Sequence, residues 1–165
     1  MIQPLRPFWL LLTIAFGASG CVETAPPPGR EDAALADTLT TLIEDAYDLE
    51  RPGAPERMSA LYARSDRVVS ASGGQMTVSA DSVRAGIQRF WLEAGQNMQD
   101  AQWRWGEVQV DRLSRDAAVL TGTWSIPHTA PDGNPHVIEG AWTAVFRRLD
   151  GEWKIVHEHL SAPPT

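Results

Sequence analysis

The chain contains a single cysteine, Cys21. It can form no internal disulfide, which excludes a small disulfide-stapled scaffold and a zinc site built on cysteine pairs. There is no block of basic residues, and the formal net charge is −7. A balance of that sign offers nothing to a phosphate backbone or an anionic bilayer surface, so nucleic acid is not an expected partner. No HExxH run, acidic calcium loop, glycine-rich phosphate loop or Ser-His-Asp constellation can be assigned, so neither a metal nor a cofactor is expected. Long apolar runs are missing as well. The longest, Phe8 to Phe16, falls well short of the roughly 20 residues that span a bilayer.

Tryptophan, by contrast, is plentiful: Trp9, Trp91, Trp103, Trp105, Trp124, Trp142 and Trp153. All but Trp9 lie where the chain is expected to fold. So many large rings in one small domain suit an apolar cavity or a buried dimer face, although dense core packing accounts for them too. With 165 residues the chain is long enough for one domain with a proper core.

Residues 1–20 read as an export signal, with Arg6 as a short positive region and an apolar stretch ending in Gly17-Ala18-Ser19-Gly20. Ala18-Ser19-Gly20-Cys21 resembles the bacterial lipobox, with Ala18 where leucine is usual. The resemblance implies lipidation of Cys21, a membrane-anchored protein of the bacterial cell envelope, and an explanation for a cysteine without a partner. Residues 21–31, with Pro26-Pro27-Pro28-Gly29, then form a stiff tether. An ordinary signal peptide with an incidental cysteine is the alternative.

The remainder, 32–162, reads as α+β. Asp32 is placed to cap a helix running to about Glu50, with Leu35, Leu39, Leu42, Ile43, Ala46 and Leu49 at helical spacing. A short helix follows Pro55, a small hairpin turns at Ser72-Gly73-Gly74, and a third helix starts at Ser79 or Asp81. Four strands complete the chain: Ala101–Leu113, Ala117–His128, His136–Leu149 and a terminal strand after the Asp150-Gly151 turn.

That closing segment, Gly151-x-Trp153-x-Ile155-Val156-His157-x-His159-x-Ser161, resembles the last strand of the nuclear-transport-factor-2-like (NTF2-like) superfamily. The likeness is greatest to its SnoaL-like (DUF4440-type) branch and to the association domain of the calmodulin-dependent kinases. The resemblance implies a cone in which a curved, mainly antiparallel sheet curls around N-terminal helices and encloses a pocket. Isomerases, cyclases, hydrolases and scaffolds share this frame, so it implies a fold and a pocket but no single activity.

Trp142, Ala144, Phe146, Trp124, Trp91 and Tyr62 are the expected ligand-binding residues, and His157, His159 and Glu158 the candidate catalytic ones. Which of the last three faces the pocket depends on the turn before them. A two-residue Asp150-Gly151 turn sets Ala144 opposite His157 and Trp142 opposite His159, so both histidines join the pocket wall. A three-residue turn with a bulge at Gly151 reverses the parity and turns Lys154, Val156, Glu158 and Leu160 inward. The kinase-domain resemblance favours the second case, although the arginines that line that domain's pocket are replaced here by Ala144 and Leu160. Glu158 in a tryptophan-lined pocket would have the raised pKa that acid–base chemistry near neutrality requires. Glu139 and Glu107 are lesser candidates, and an exposed or salt-bridged Glu158 is the plain alternative.

These readings leave three functions: a pocket domain binding a small apolar or amphipathic molecule, an oligomeric scaffold without catalysis, and a SnoaL- or ketosteroid-isomerase-type enzyme moving a proton. A homodimer through the outer sheet face is expected as well.

Overall fold

The computed structural model describes residues 30–163. The expected export signal, Cys21 and the proline-rich part of the tether lie outside the described residues. Three helices, α1 (Arg30–Ala46), α2 (Ala54–Ala60) and α3 (Ala80–Glu93), pack against one six-stranded sheet. Its strands are β1 (Val69–Ser72), β2 (Gln75–Val78), β3 (Arg104–Ser114), β4 (Ala117–Thr129), β5 (Pro135–Leu149) and β6 (Glu152–Ser161), in spatial order β2-β1-β6-β5-β4-β3. From β3 to β6 the sheet is an antiparallel meander, and β1 joins β6 in parallel. The architecture is the expected α+β, with helices before the meander.

Helix α1 lays Leu35, Leu39, Ile43 and Ala46 into the core at intervals of four, four and three residues. Across from them stand Ala118 and Leu120 of β4, Trp142, Ala144 and Phe146 of β5, and Trp153 and Ile155 of β6. Small residues face large ones across the strands, Ala118 beside Phe146 and Ala144 beside Leu120, which lets the layers interdigitate without voids. Phe146, Leu39 and Ile43 are fully buried, each stabilising the fold by roughly 1.5–3 kcal/mol relative to exposure.

Two features of α1 differ from the sequence reading. It begins at Arg30, so Asp32 lies inside it and pairs with Arg112 at 3.3 Å rather than capping it. It also ends at Ala46, before the expected Glu50. The cause lies in the next helix. Arg57 of α2 donates to the carbonyl oxygens of Asp45, Asp48, Arg51 and Pro52, satisfying groups that a further helical turn would have used. Helix α3 is capped by Ser79, whose hydroxyl accepts the Ser82 N–H at 3.2 Å.

The terminal hairpin decides which side chains reach the interior. Asp150 (φ 51°) and Gly151 (φ 86°) are both left-handed, the signature of a two-residue turn that matches strand twist. Leu149 pairs with Glu152, Arg148 with Trp153 and Phe146 with Ile155. Val145 then pairs with His157, so Val156 is an extra residue, a β-bulge. Beyond it Ala144 faces Glu158 and Trp142 faces Leu160. The short turn and the reversed parity therefore coexist, because the bulge lies at Val156 and not at Gly151.

Candidate functional site

Ile155 anchors the Leu61–Ala63 segment on β6. Its N–H donates to Leu61 at 2.7 Å and its carbonyl accepts from Ala63 at 2.9 Å, which fixes Tyr62 between them. Just past the bulge β1 takes over the same edge, pairing Ser70 with Glu158. The bulge thus sits at the join and turns Glu158 inward, where Tyr62, Ser70 and Trp142 surround it.

Glu158 is the one buried charged or polar residue among those described, 2% exposed. Its Oε2 accepts the Tyr62 hydroxyl at 2.8 Å and the Trp142 Nε1–H at 2.9 Å. Burial pushes its carboxyl above the usual value. Hydrogen bonds from Ser70, Tyr62 and Trp142, and the nearby His157, pull it partly back. Tyr62 and Tyr47 are raised in turn, first by burial and then by the charge of Glu158. The result is a carboxyl held in a fixed orientation, able to donate when protonated and to accept or attract a cation when ionised.

Glu158 opens onto a cavity of about 430 Å³. Tyr47, Tyr62, Phe90, Trp103 and Trp124 supply aromatic wall, with Met58, Val83, Ile87, Ile126, Ile138 and Leu160 as aliphatic wall. Ser70, Ser72, Thr77 and Ser82 add hydroxyls, and Glu139 contributes a second carboxylate on an exposed residue. Trp103 and Trp124 stack with centroids 5.0 Å apart and planes 13° from parallel, and Tyr47 lies 4.6 Å from Trp103. The buried Nε1–H groups of Trp103 and Trp124 find no hydrogen-bond partner among the described residues.

The sequence model of the SnoaL-like domain matches residues 39–165, most of the chain and every strand of the sheet. The chain belongs to the SnoaL-like domain family. Solved structures give the same fold. An NTF2-like superfamily protein from Salmonella enterica serovar Typhimurium superimposes with a TM-score of 0.61 at 17% identity, covering 81% of this chain and 94% of its own. An NTF2-like protein of unknown function from Shewanella oneidensis gives 0.60 at 18% identity, covering 76% and 97%. A protein from Xanthomonas campestris, assigned provisionally as a calcium/calmodulin-dependent protein kinase II association domain, gives 0.58 at 23% identity, covering 85% and 91%. No curated protein matches the sequence.

Within this SnoaL-like domain, the residues singled out from sequence fall into three groups. Glu158, Tyr62 and Trp124 line the cavity, and Trp142 lies beneath it, holding Glu158. Ala144 and Phe146 do not line it. Both are fully buried in the core between sheet and helices, because the pocket lies nearer the other end of β5. Trp91 does not line it either. It packs on Gly95, where a Cβ would come within 2.9 Å of the indole.

His157 and His159 are exposed. The bulge turns them to the face opposite Glu158, so they are not in the cavity wall. Lining residues absent from the expected set include Tyr47, Phe90, Trp103 and Ser70. Tyr47 continues the apolar spacing of α1 and Phe90 that of α3, but that spacing alone cannot separate a cavity wall from core.

Proposed function

We propose that this SnoaL-like domain binds a small, largely apolar molecule with one polar end, without catalysis, and is held at the cell envelope by lipidated Cys21. The observation that carries the binding reading is an open cavity of about 430 Å³, walled by aromatic rings, with one buried carboxyl held by Tyr62 and Trp142. A concave, mainly apolar site with a few fixed polar groups is the usual form of a small-molecule pocket. The open cavity favours this reading over a pure scaffold, whose interior would be packed. Pairing of two copies through the outer sheet face, which carries Val145, His157 and His159 on adjacent strands, is part of the proposal.

The test is a tryptophan-fluorescence titration of the purified full-length chain, since Trp103 and Trp124 line the cavity. Saturable quenching by an amphipathic molecule supports the reading, and a flat response across apolar, aromatic and amphipathic classes sinks it. Envelope anchoring is tested by Cys21→Ser, which should release the protein from the membrane fraction.

One observation favours a second reading, a proton-transferring enzyme. Glu158 combines a raised pKa with a phenolic partner at 2.8 Å, the pairing that acid–base chemistry near neutrality uses. Turnover of a bound ligand that is lost in Glu158→Gln, with binding retained, would decide for it.

A further inference from the structure

Among the described residues, the cavity wall carries two carboxylates, Glu158 and Glu139, and no lysine, arginine or histidine. A pocket for fatty acids or aromatic carboxylates would need a cation or a cluster of N–H donors against the ligand's carboxylate, and the unpartnered indole N–H groups of Trp103 and Trp124 are themselves buried rather than presented to the cavity. Here such a ligand would meet the Glu158 charge wherever that carboxyl is ionised, with no cation in the described wall to offset it. The aromatic wall points the same way. Ring faces carry negative potential and attract cations, most strongly when water is excluded. Tyr47, Trp103 and Trp124 form a continuous ring surface, with Tyr62 beside the carboxyl.

Resting on the pocket reading above, we infer that the ligand is a small organic cation: a protonated or quaternary amine on an apolar body, its ammonium against Glu158 and its body along Trp103 and Trp124. The protein's net charge of −7 also favours the approach of a cation. Burial holds the Glu158 proton more tightly than usual. An ammonium beside the carboxyl opposes that effect, so at a pH where Glu158 is protonated, entry of the ligand expels the proton to solvent. Binding therefore strengthens as pH rises toward neutrality, with proton release at lower pH.

The experiment is isothermal titration of the full-length chain with three matched probes. They are benzyl(2-hydroxyethyl)dimethylammonium, its uncharged carbon isostere 3,3-dimethyl-4-phenylbutan-1-ol, and the carboxylate 3,3-dimethyl-4-phenylbutanoate. The cation should bind about tenfold or more tighter than the isostere, and the carboxylate weakest. In Glu158→Gln, which keeps the side chain's size and is checked for folding by circular dichroism, the ratio of cation to isostere affinity should fall, the remainder being what the ring faces contribute. Buffers of different ionisation enthalpy should reveal proton release with the cation alone.

Equal or tighter binding of the isostere, or preference for the carboxylate, overturns the cation assignment and leaves the pocket standing. Binding of none of the three also overturns it. The pocket reading falls with it only if the broader fluorescence titration is silent too.

Discussion

The Tyr62 hydroxyl donates to Glu158 Oε2 at 2.8 Å across 96 positions of sequence. It joins the segment after α2 to the strand that closes the sheet. Breaking it removes a hydrogen bond to a carboxylate that has little water to replace it. Tyr62→Phe should therefore destabilise the protein by about 1.5–3 kcal/mol and raise the Glu158 pKa further. Urea denaturation at neutral pH measures the first and a carboxyl-carbon NMR titration the second.

The raised pKa of Glu158 has a definite sign in stability. The folded state holds the Glu158 proton more tightly than the unfolded chain does. Its contribution is fully present below the unfolded carboxylate pKa and is lost as pH rises through the higher folded value. The difference in stability between the native chain and Glu158→Gln should move against the native chain across that window. Paired denaturation curves at several pH values measure it, and a difference that does not change with pH would contradict the burial argument.

His157 and His159 stand exposed on the outer face. Substituting His159 by alanine should leave cavity-ligand affinity unchanged, and substituting either should shift stability by no more than about 0.5 kcal/mol in the monomer. The same substitutions should weaken self-association if the outer face pairs two copies, which sedimentation at several concentrations would show.

Arg57 holds four carbonyl oxygens at the end of α1 and in the following turn. Arg57→Ala leaves them to water or unpaired, and a loss of about 2–3 kcal/mol is expected. Faster amide exchange around residues 45–53 would localise the effect.

The order of helices and strands was legible because periodicity and turn chemistry are local. Leu35, Leu39 and Ile43 mark α1, and Asp150-Gly151 marks the last turn. What sequence did not show came from contacts distant along the chain. Leu49 continues the spacing of α1, so the helix reads long, and only Arg57 explains why it stops at Ala46. In β6 the two-residue turn alone would send His157 inward. Nothing about Val156 marks it as a bulge, since valine suits a regular strand equally well. The bulge answers the change of edge partner from Leu61–Ala63 to β1. Ala144 and Phe146, expected to bind ligand, stand in the core instead, because an inner face serves both core and cavity, and strand alternation cannot divide the two.

The account stands on the cavity at Glu158 being an open binding site. A thermal-shift screen of the purified chain tests this most directly, with a panel of amines, steroids, quinones, fatty acids and aromatic carboxylates. A ligand at about 100 times its dissociation constant should stabilise the protein by roughly 2.7 kcal/mol, and that shift should shrink in Glu158→Gln. Stabilisation by no member of the panel would contradict the account, whereas stabilisation that ignores Glu158 would keep the cavity as a binding site and remove only the cation assignment.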